Sequence, residues 1–300
     1  MSTGNGITTI THTKTGSKAR IHEFGATVLE FTTAKGREVL FVSRDAKLDG
    51  SKAVRGGIPL VFPIFGPPKD GKSTMPQHGF ARNNSWTLDE VTDTESSASA
   101  KYSLDFKTVQ DGKGSDNEWA KGTHDVKLCL KVEITGTEMT TTMTIQNTGS
   151  TPFPFQSLFH TYYSVDNHAA LENDKCFVKG LEGYSAYDQL SKTTKVLDAS
   201  PIVVRGELDS IHTPQGDKTE ANLEIGVGSS DTVKLTCQGE VDGTVVPVSV
   251  VVWNPHEAKA ASMGDFGNDQ YNDMICVEPG LLRGDTLQPG KQATMTQTIS

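Results

Sequence analysis

Three segments of the sequence set acid, base and cation side chains among aromatic and proline-rich neighbours. The first runs Arg55-Gly56-Gly57-Ile58-Pro59-Leu60-Val61-Phe62-Pro63 and resumes at Gln77-His78-Gly79-Phe80-Ala81-Arg82. The second is Phe153-Pro154-Phe155-Gln156-Ser157-Leu158-Phe159-His160-Thr161-Tyr162-Tyr163. Read as a strand, it puts His160 on one face with Gln156 and Tyr162, while Phe155, Phe159 and Tyr163 point the other way. The third is Met274-Ile275-Cys276-Val277-Glu278-Pro279-Gly280, in which a carboxylate closes an apolar strand. Desolvation there raises a carboxyl pKa toward the range of a general base, and an imidazole near its ordinary pKa of about 6.5 supplies a matching acid. Taken singly, each residue also has a structural reading. A histidine beside aromatics fits a hydrogen-bonded core residue, a glutamate before Pro-Gly fits a solvated strand end, and Arg55 and Arg82 fit ordinary surface charges.

Other motifs do not survive their context. Gly66-Pro67-Pro68-Lys69-Asp70-Gly71-Lys72-Ser73 matches the phosphate-binding P-loop pattern. That loop works only where Lys-Ser opens a helix, and Pro76 and Gly79 follow too soon. His256-Glu257 begins like a zinc-protease helix, but position 260 is Ala. Asp265-Phe266-Gly267 matches a kinase triplet without the accompanying loops. No Cys or His pair has metal-ligand spacing, and there is no Gly-x-Ser-x-Gly elbow.

Composition narrows the classes. At 300 residues, 35% hydrophobic and 22% charged, the chain fits a soluble globular protein. A net charge of −9 with only seven arginines excludes a broad basic surface for nucleic acid. No run approaches the roughly 20 apolar residues of a membrane span, and residues 1–15 lack a signal-peptide pattern. Cys129, Cys176, Cys237 and Cys276 lie far apart, three of them in apolar strand-like runs, which suits free thiols in a reducing cytoplasm. The sequon at Asn83 is then a chance occurrence.

The elements that must position these residues read as strands. Val126 to Ile134 alternates apolar and polar, Thr135-Gly136-Thr137 turns, and Met139 to Ile145 resumes the alternation, predicting a hairpin over 126–147. Similar runs recur at 20–31, 37–42, 232–237, 245–253, 274–277 and 294–299, and none has helical spacing. The fold class is all-β, a large antiparallel β-sandwich, expected as a single domain over 1–300. Gln110 to Gly122 and Asp209 to Gly216 read as surface excursions.

Taken together, RGGIPLVFPIFG, QHGFARNNSW, FPFQSLFHTYY, VVWNP and MICVEPG, in order from Arg55 to Gly280, resemble the aldose 1-epimerase superfamily and within it the glucose-6-phosphate 1-epimerase branch. The resemblance implies a galactose mutarotase-like sandwich that holds a hexose on its concave face. It implies His160 as acid and Glu278 as base, sugar-phosphate contacts at Arg55, Gln77 and Arg82, a hydroxyl contact at His78, and Asp209 as a further substrate ligand. It departs from the pattern at His256, where many relatives carry Trp, which puts local packing or the pocket edge in doubt.

The reaction so implied is cofactor-free anomerisation of a hexose 6-phosphate by a monomer, its only partner the small-molecule sugar phosphate. Two rivals stay open at this point: a mutarotase of unphosphorylated aldoses, and a non-catalytic carbohydrate-binding sandwich.

Overall fold

The computed structural model describes residues 2–3, 6–69, 73–110, 118–172, 174–229 and 231–300. Two large antiparallel sheets face one another. The outer one has ten strands in the order 202–203, 176–179, 221–227, 232–241, 292–299, 139–147, 126–134, 98–105 and 87–93, with 244–246 paired beside 232–241. The sheet that carries the site comprises Leu60–Val61 (β1), Ser157–Phe159 (β2), Tyr162–Ser164 (β3), Ser185–Asp188 (β4), Thr193–Val196 (β5), Leu208–Thr213 (β6), Ser249–Asn254 (β7) and Met274–Leu281 (β8). Its order is β5-β4-β6-β7-β8-β2-β1, and β3 continues β2 along the same edge of β8. A four-stranded sheet at the N-terminus and a two-stranded ribbon, Phe153–Pro154 with Thr286–Leu287, complete it.

The predicted hairpin is present, with Ile134 opposite Met139 and one face buried along both strands. In the site sheet, β8 is buried at every position from Met274 to Leu281. Its odd residues Ile275, Val277 and Leu281 enter the main core, while Met274 and Cys276 pack on the opposite face with Phe41, Tyr162 and Phe266. Neighbouring strands keep this parity: Val250 and Val252 of β7 face the core, and Val251 packs outward with Val61 and Leu158. Because side chains alternate along a strand, the outward face is the one that carries 276, 278, 251, 253, 209 and 162.

Several sequence expectations change. The run 20–31 is two strands, Lys18–His22 and Thr27–Thr32, and 245–253 divides into Thr244–Val246 and β7. Residues 37–42 make isolated bridges, not a strand. The excursion expected at 209–216 is mostly β6, a central strand between β4 and β7. Its core-facing positions are the buried Ser210 and His212, so it lacks the apolar alternation that marks a strand. His212 is satisfied there by the Val250 carbonyl, and burial holds its pKa down to about 4.

Of the excursion expected at 110–122, residues 111–117 lie outside the described residues. Trp119 is buried, its ring 4.9 Å from Phe153, 5.1 Å from Phe106 and 5.5 Å from Phe80. That contact ties the segment into the core under the site. In the P-loop-like stretch, residues 70–72 are likewise outside the described residues, and residues 73–80 form no helix.

Two glycines let the loops bearing the candidate cations approach the sheets. Gly57 (φ +66°) and Gly79 (φ +76°) each sit so that an added Cβ would lie 2.0 Å from a backbone oxygen, of Val28 and of Phe62 respectively. Both strain and clash oppose any side chain there. Gly79→Ala is expected to cost about 2 kcal/mol or more, read as a lower urea midpoint at unchanged m-value.

Candidate active site

The outward face of β6, β7 and β8 opens into a cavity of about 420 Å³. Arg55, Gln77, His78, Arg82, His160, Asp209 and Glu278, the full set of residues singled out from the sequence, line it. The rungs of the sheet explain the convergence. Asp209, Trp253, Cys276 and Tyr162 lie opposite one another across β6, β7, β8 and β3, and Glu278 is two residues on from Cys276 on the same face. At roughly 4.8 Å per strand, this places Asp209 about 10 Å from the β8 rung.

His160 sits in the break between β2 and β3. Its amide donates to the Pro59 carbonyl, and its ring stacks on Tyr162 at 4.9 Å and 10°. Behind it, the buried Thr161 hydroxyl donates to Gln297 of the opposite sheet at 3.0 Å, which pins the break. The expectation that His160 and Tyr162 share a face holds. Gln156 instead braces a loop, accepting from the Phe65 amide and donating to the Leu282 carbonyl.

His160 Nδ1 lies 3.3 Å from Glu278 Oε1. The two are not aligned as a hydrogen bond, and Nδ1 and Glu278 Oε2 are both buried without a hydrogen-bond partner among the described residues. Burial pushes the imidazole well below its usual pKa, and Arg82 and Arg55 add to that. Burial also pushes the Glu278 carboxyl well above the usual range, assisted by Asp209 and opposed by Arg82. Both directions favour the uncharged forms, with one proton for the pair and that proton on the carboxyl rather than the imidazole. Moving it to the imidazole changes no net charge.

The two arginines differ. Arg55 is held by Asp265, Nε to Oδ1 at 3.2 Å, and by the Tyr162 hydroxyl at 3.2 Å, while Lys52 takes the other Asp265 oxygen at 2.6 Å. Burial lowers the Arg55 pKa, but Tyr162 and Asp265 outweigh it and raise the net value. Arg82 has no carboxylate partner among the described residues. Its Nη2 donates to the Gln77 carbonyl, its Nε is an orphan, and burial drops its pKa to about 10. A half-buried guanidinium with its Nε enclosed and no counter-ion among the described residues favours an incoming anion. His78 accepts from the Gly66 amide through Nδ1, which leaves the proton on Nε2, and burial holds the ring neutral.

Sequence reasoning missed several participants. Gln189, just past β4, donates to Asp209, and Lys192 and Lys259 stand nearby on the pocket wall. Lys192 lies in the β4–β5 turn and Lys259 on the short helix His256–Ala261 (α1), positions with no distinguishing pattern. Asp265 belongs to the kinase-like triplet, and nothing in its local sequence points to Arg55 as its partner. His256 packs on Tyr271 at 5.3 Å and is not on the pocket wall, so the departure at that position touches packing, not the pocket edge.

Comparison with known proteins follows the same lines. The sequence profile of the family described as aldose 1-epimerase matches residues 7–300. The chain belongs to that family, and it is an isomerase of the epimerase, or mutarotase, class. A protein of Cenchrus ciliaris named "Putative glucose-6-phosphate 1-epimerase" is 29% identical over 280 residues, covering 91% of this chain and 78% of the relative. One of the same name from Escherichia coli is 28% identical over 260 residues, covering 85% and 76%. Among solved structures, a "putative mutarotase" from Salmonella typhimurium superposes with a TM-score of 0.73 at 23% identity, covering 94% of this chain and 86% of that one.

The raised Glu278 pKa has a consequence for stability. Between about pH 4.5 and the higher folded value, the unfolded chain releases this proton and the folded chain keeps it, so folding stability falls as pH rises. The slope is at most about 1.4 kcal/mol per pH unit. Glu278→Gln should therefore melt higher than the wild type at pH 7, with the gain vanishing below about pH 4.5, in paired thermal scans across that range.

Proposed function

We propose that the protein interconverts the α and β anomers of hexose 6-phosphates, glucose 6-phosphate foremost, with Glu278 and His160 exchanging protons with the sugar. The observation that carries this reading is the orphaned, buried acid–base pair next to a half-buried arginine that has no carboxylate partner among the described residues. Ring opening removes a proton from the C1 hydroxyl and adds one to the ring oxygen. Glu278 as carboxylate takes the first and His160 as imidazolium gives the second. Rotation about C1–C2 and the reverse transfers close the other anomer. Each general acid or base contribution is worth roughly 10²–10⁴, and the uncatalysed reaction already proceeds in water.

The phosphate does more than anchor the ring. Arg82 and Arg55 both hold the His160 pKa down. A dianion seated on them offsets that field and so makes the imidazolium that the reaction needs easier to form. Arg82 makes the main contact, and Arg55, already engaged by Asp265 and Tyr162, offers its remaining donors. Gln77 completes the phosphate end, and His78 offers a contact to a sugar hydroxyl. Asp209, oriented by Gln189, receives sugar hydroxyls at the other end.

The names of the relatives from Cenchrus ciliaris and Escherichia coli support the phosphorylated substrate. An aldose mutarotase would have no use for an unpaired Arg82, and a binding module none for the orphaned pair. The test is NMR exchange between anomers, measured in parallel on glucose 6-phosphate and glucose. Arg82→Ala should lose roughly 10- to 150-fold in kcat/KM on the phosphate ester, equivalent to about 1.5–3 kcal/mol, and little on glucose. Arg55→Ala should show the same selectivity with a smaller loss. Equal losses on both sugars would favour the unphosphorylated substrate.

A further inference from the structure

His160, Cys276 and Glu278 each offer a ligand atom, and these atoms all lie within 4.8 Å of one another. All three residues are buried, and two of the site's orphaned atoms, His160 Nδ1 and Glu278 Oε2, belong to this set. We infer that the three side chains form an inhibitory site for a thiophilic divalent cation, Zn²⁺ in the first place, which switches the enzyme off by occupying its acid–base pair. The inference rests on the assignment of His160 and Glu278 as the reacting groups.

The chemistry of the donors selects the ion. One imidazole nitrogen, one thiolate sulfur and one carboxylate oxygen suit borderline-soft Zn²⁺, whereas Mg²⁺ and Ca²⁺ demand oxygen. Zinc–ligand bonds of about 2.0–2.3 Å put tetrahedral neighbours about 3.3–3.8 Å apart, so the longest separation here closes by about 1 Å through side-chain rotation. The scaffold favours that small motion. Cys276 and Glu278 project from one face of β8, and Cys276 pairs with Tyr162, on whose ring His160 stacks. His160 and Glu278 line the pocket, so an ion reaches the three donors from that side.

Charge sets the strength. The thiol and carboxyl both give up protons on binding, and thiolate plus carboxylate balance the ion's two charges. Arg82 and Arg55 oppose a cation, so the site binds more weakly than a structural zinc centre and competes with the anionic sugar. The linear sequence offers no metal-ligand spacing, because His160 comes from the break between β2 and β3 and the other two donors from β8, far along the chain.

The test adds ZnCl₂ to the purified protein and follows anomer exchange of glucose 6-phosphate with a chelator reversal. Exchange should fall at least about tenfold at saturation, competitively with substrate, and return with EDTA. Cys276→Ala, which leaves the proton-transfer pair intact, should keep its basal exchange and need at least about tenfold more Zn²⁺ for the same inhibition. Cys276→Ser serves as a second variant should the first fold poorly. Substituting Co²⁺ gives a readout independent of activity: a near-ultraviolet thiolate-to-cobalt charge-transfer band, present in the wild type and lost in the Cys276 variants. Absence of that band, or equal zinc inhibition of wild type and variant, would overturn the site whether or not the proposed substrate is right.

Discussion

The site depends on a carboxyl group held in the middle of a strand that is buried along its whole length. β8 has the main core on one face and the packed pocket wall on the other, so Glu278 has almost no water to stabilise its charge. Isolated carboxylates are expensive in such surroundings, and burial pushes the Glu278 pKa well above the usual range. The neighbouring imidazole is subject to the same desolvation in the opposite sense. Two groups with displaced pKa values, 3.3 Å apart, thus share one proton between two nearly isocharged arrangements.

Everything around the pair sets which arrangement prevails. The break between β2 and β3, pinned through Thr161 and Gln297, fixes the imidazole in position. Arg82 and Arg55 hold the imidazole pKa down, and Arg82 pulls on the carboxyl in the same direction. Asp265 engages both Arg55 and Lys52, whereas Arg82 has no carboxylate partner among the described residues. A fold rigid on both faces maintains these distances without help from the ligand, and this preorganisation suits a reaction with little charge separation to stabilise.

The sequence carried much of this because several constraints are local. The alternation at 126–147 fixes a half-buried hairpin, and the apolar run ending at Glu278 announces a buried carboxyl. β6 was illegible because its inward side chains are Ser210 and His212, satisfied by hydrogen bonds that no periodicity reveals. Lys192 and Lys259 reach the pocket from a turn and a one-and-a-half-turn helix, where a lysine is ordinarily solvated. Asp265 and Arg55 are 210 positions apart, and their pairing is a product of topology alone. Asp209, placed only by resemblance, lines the pocket from a strand that composition had assigned to a loop.

The central claim is that Glu278 and His160 act as one proton-exchanging unit. It is tested most directly by anomer exchange of glucose 6-phosphate, corrected for the spontaneous rate, in Glu278→Gln, His160→Asn and the double variant. Both single variants should fold, bind the sugar phosphate, and lose most catalysed exchange through kcat rather than KM, with the double variant little worse than the more damaging single one. Near-wild-type exchange by a correctly folded Glu278→Gln protein would contradict the account.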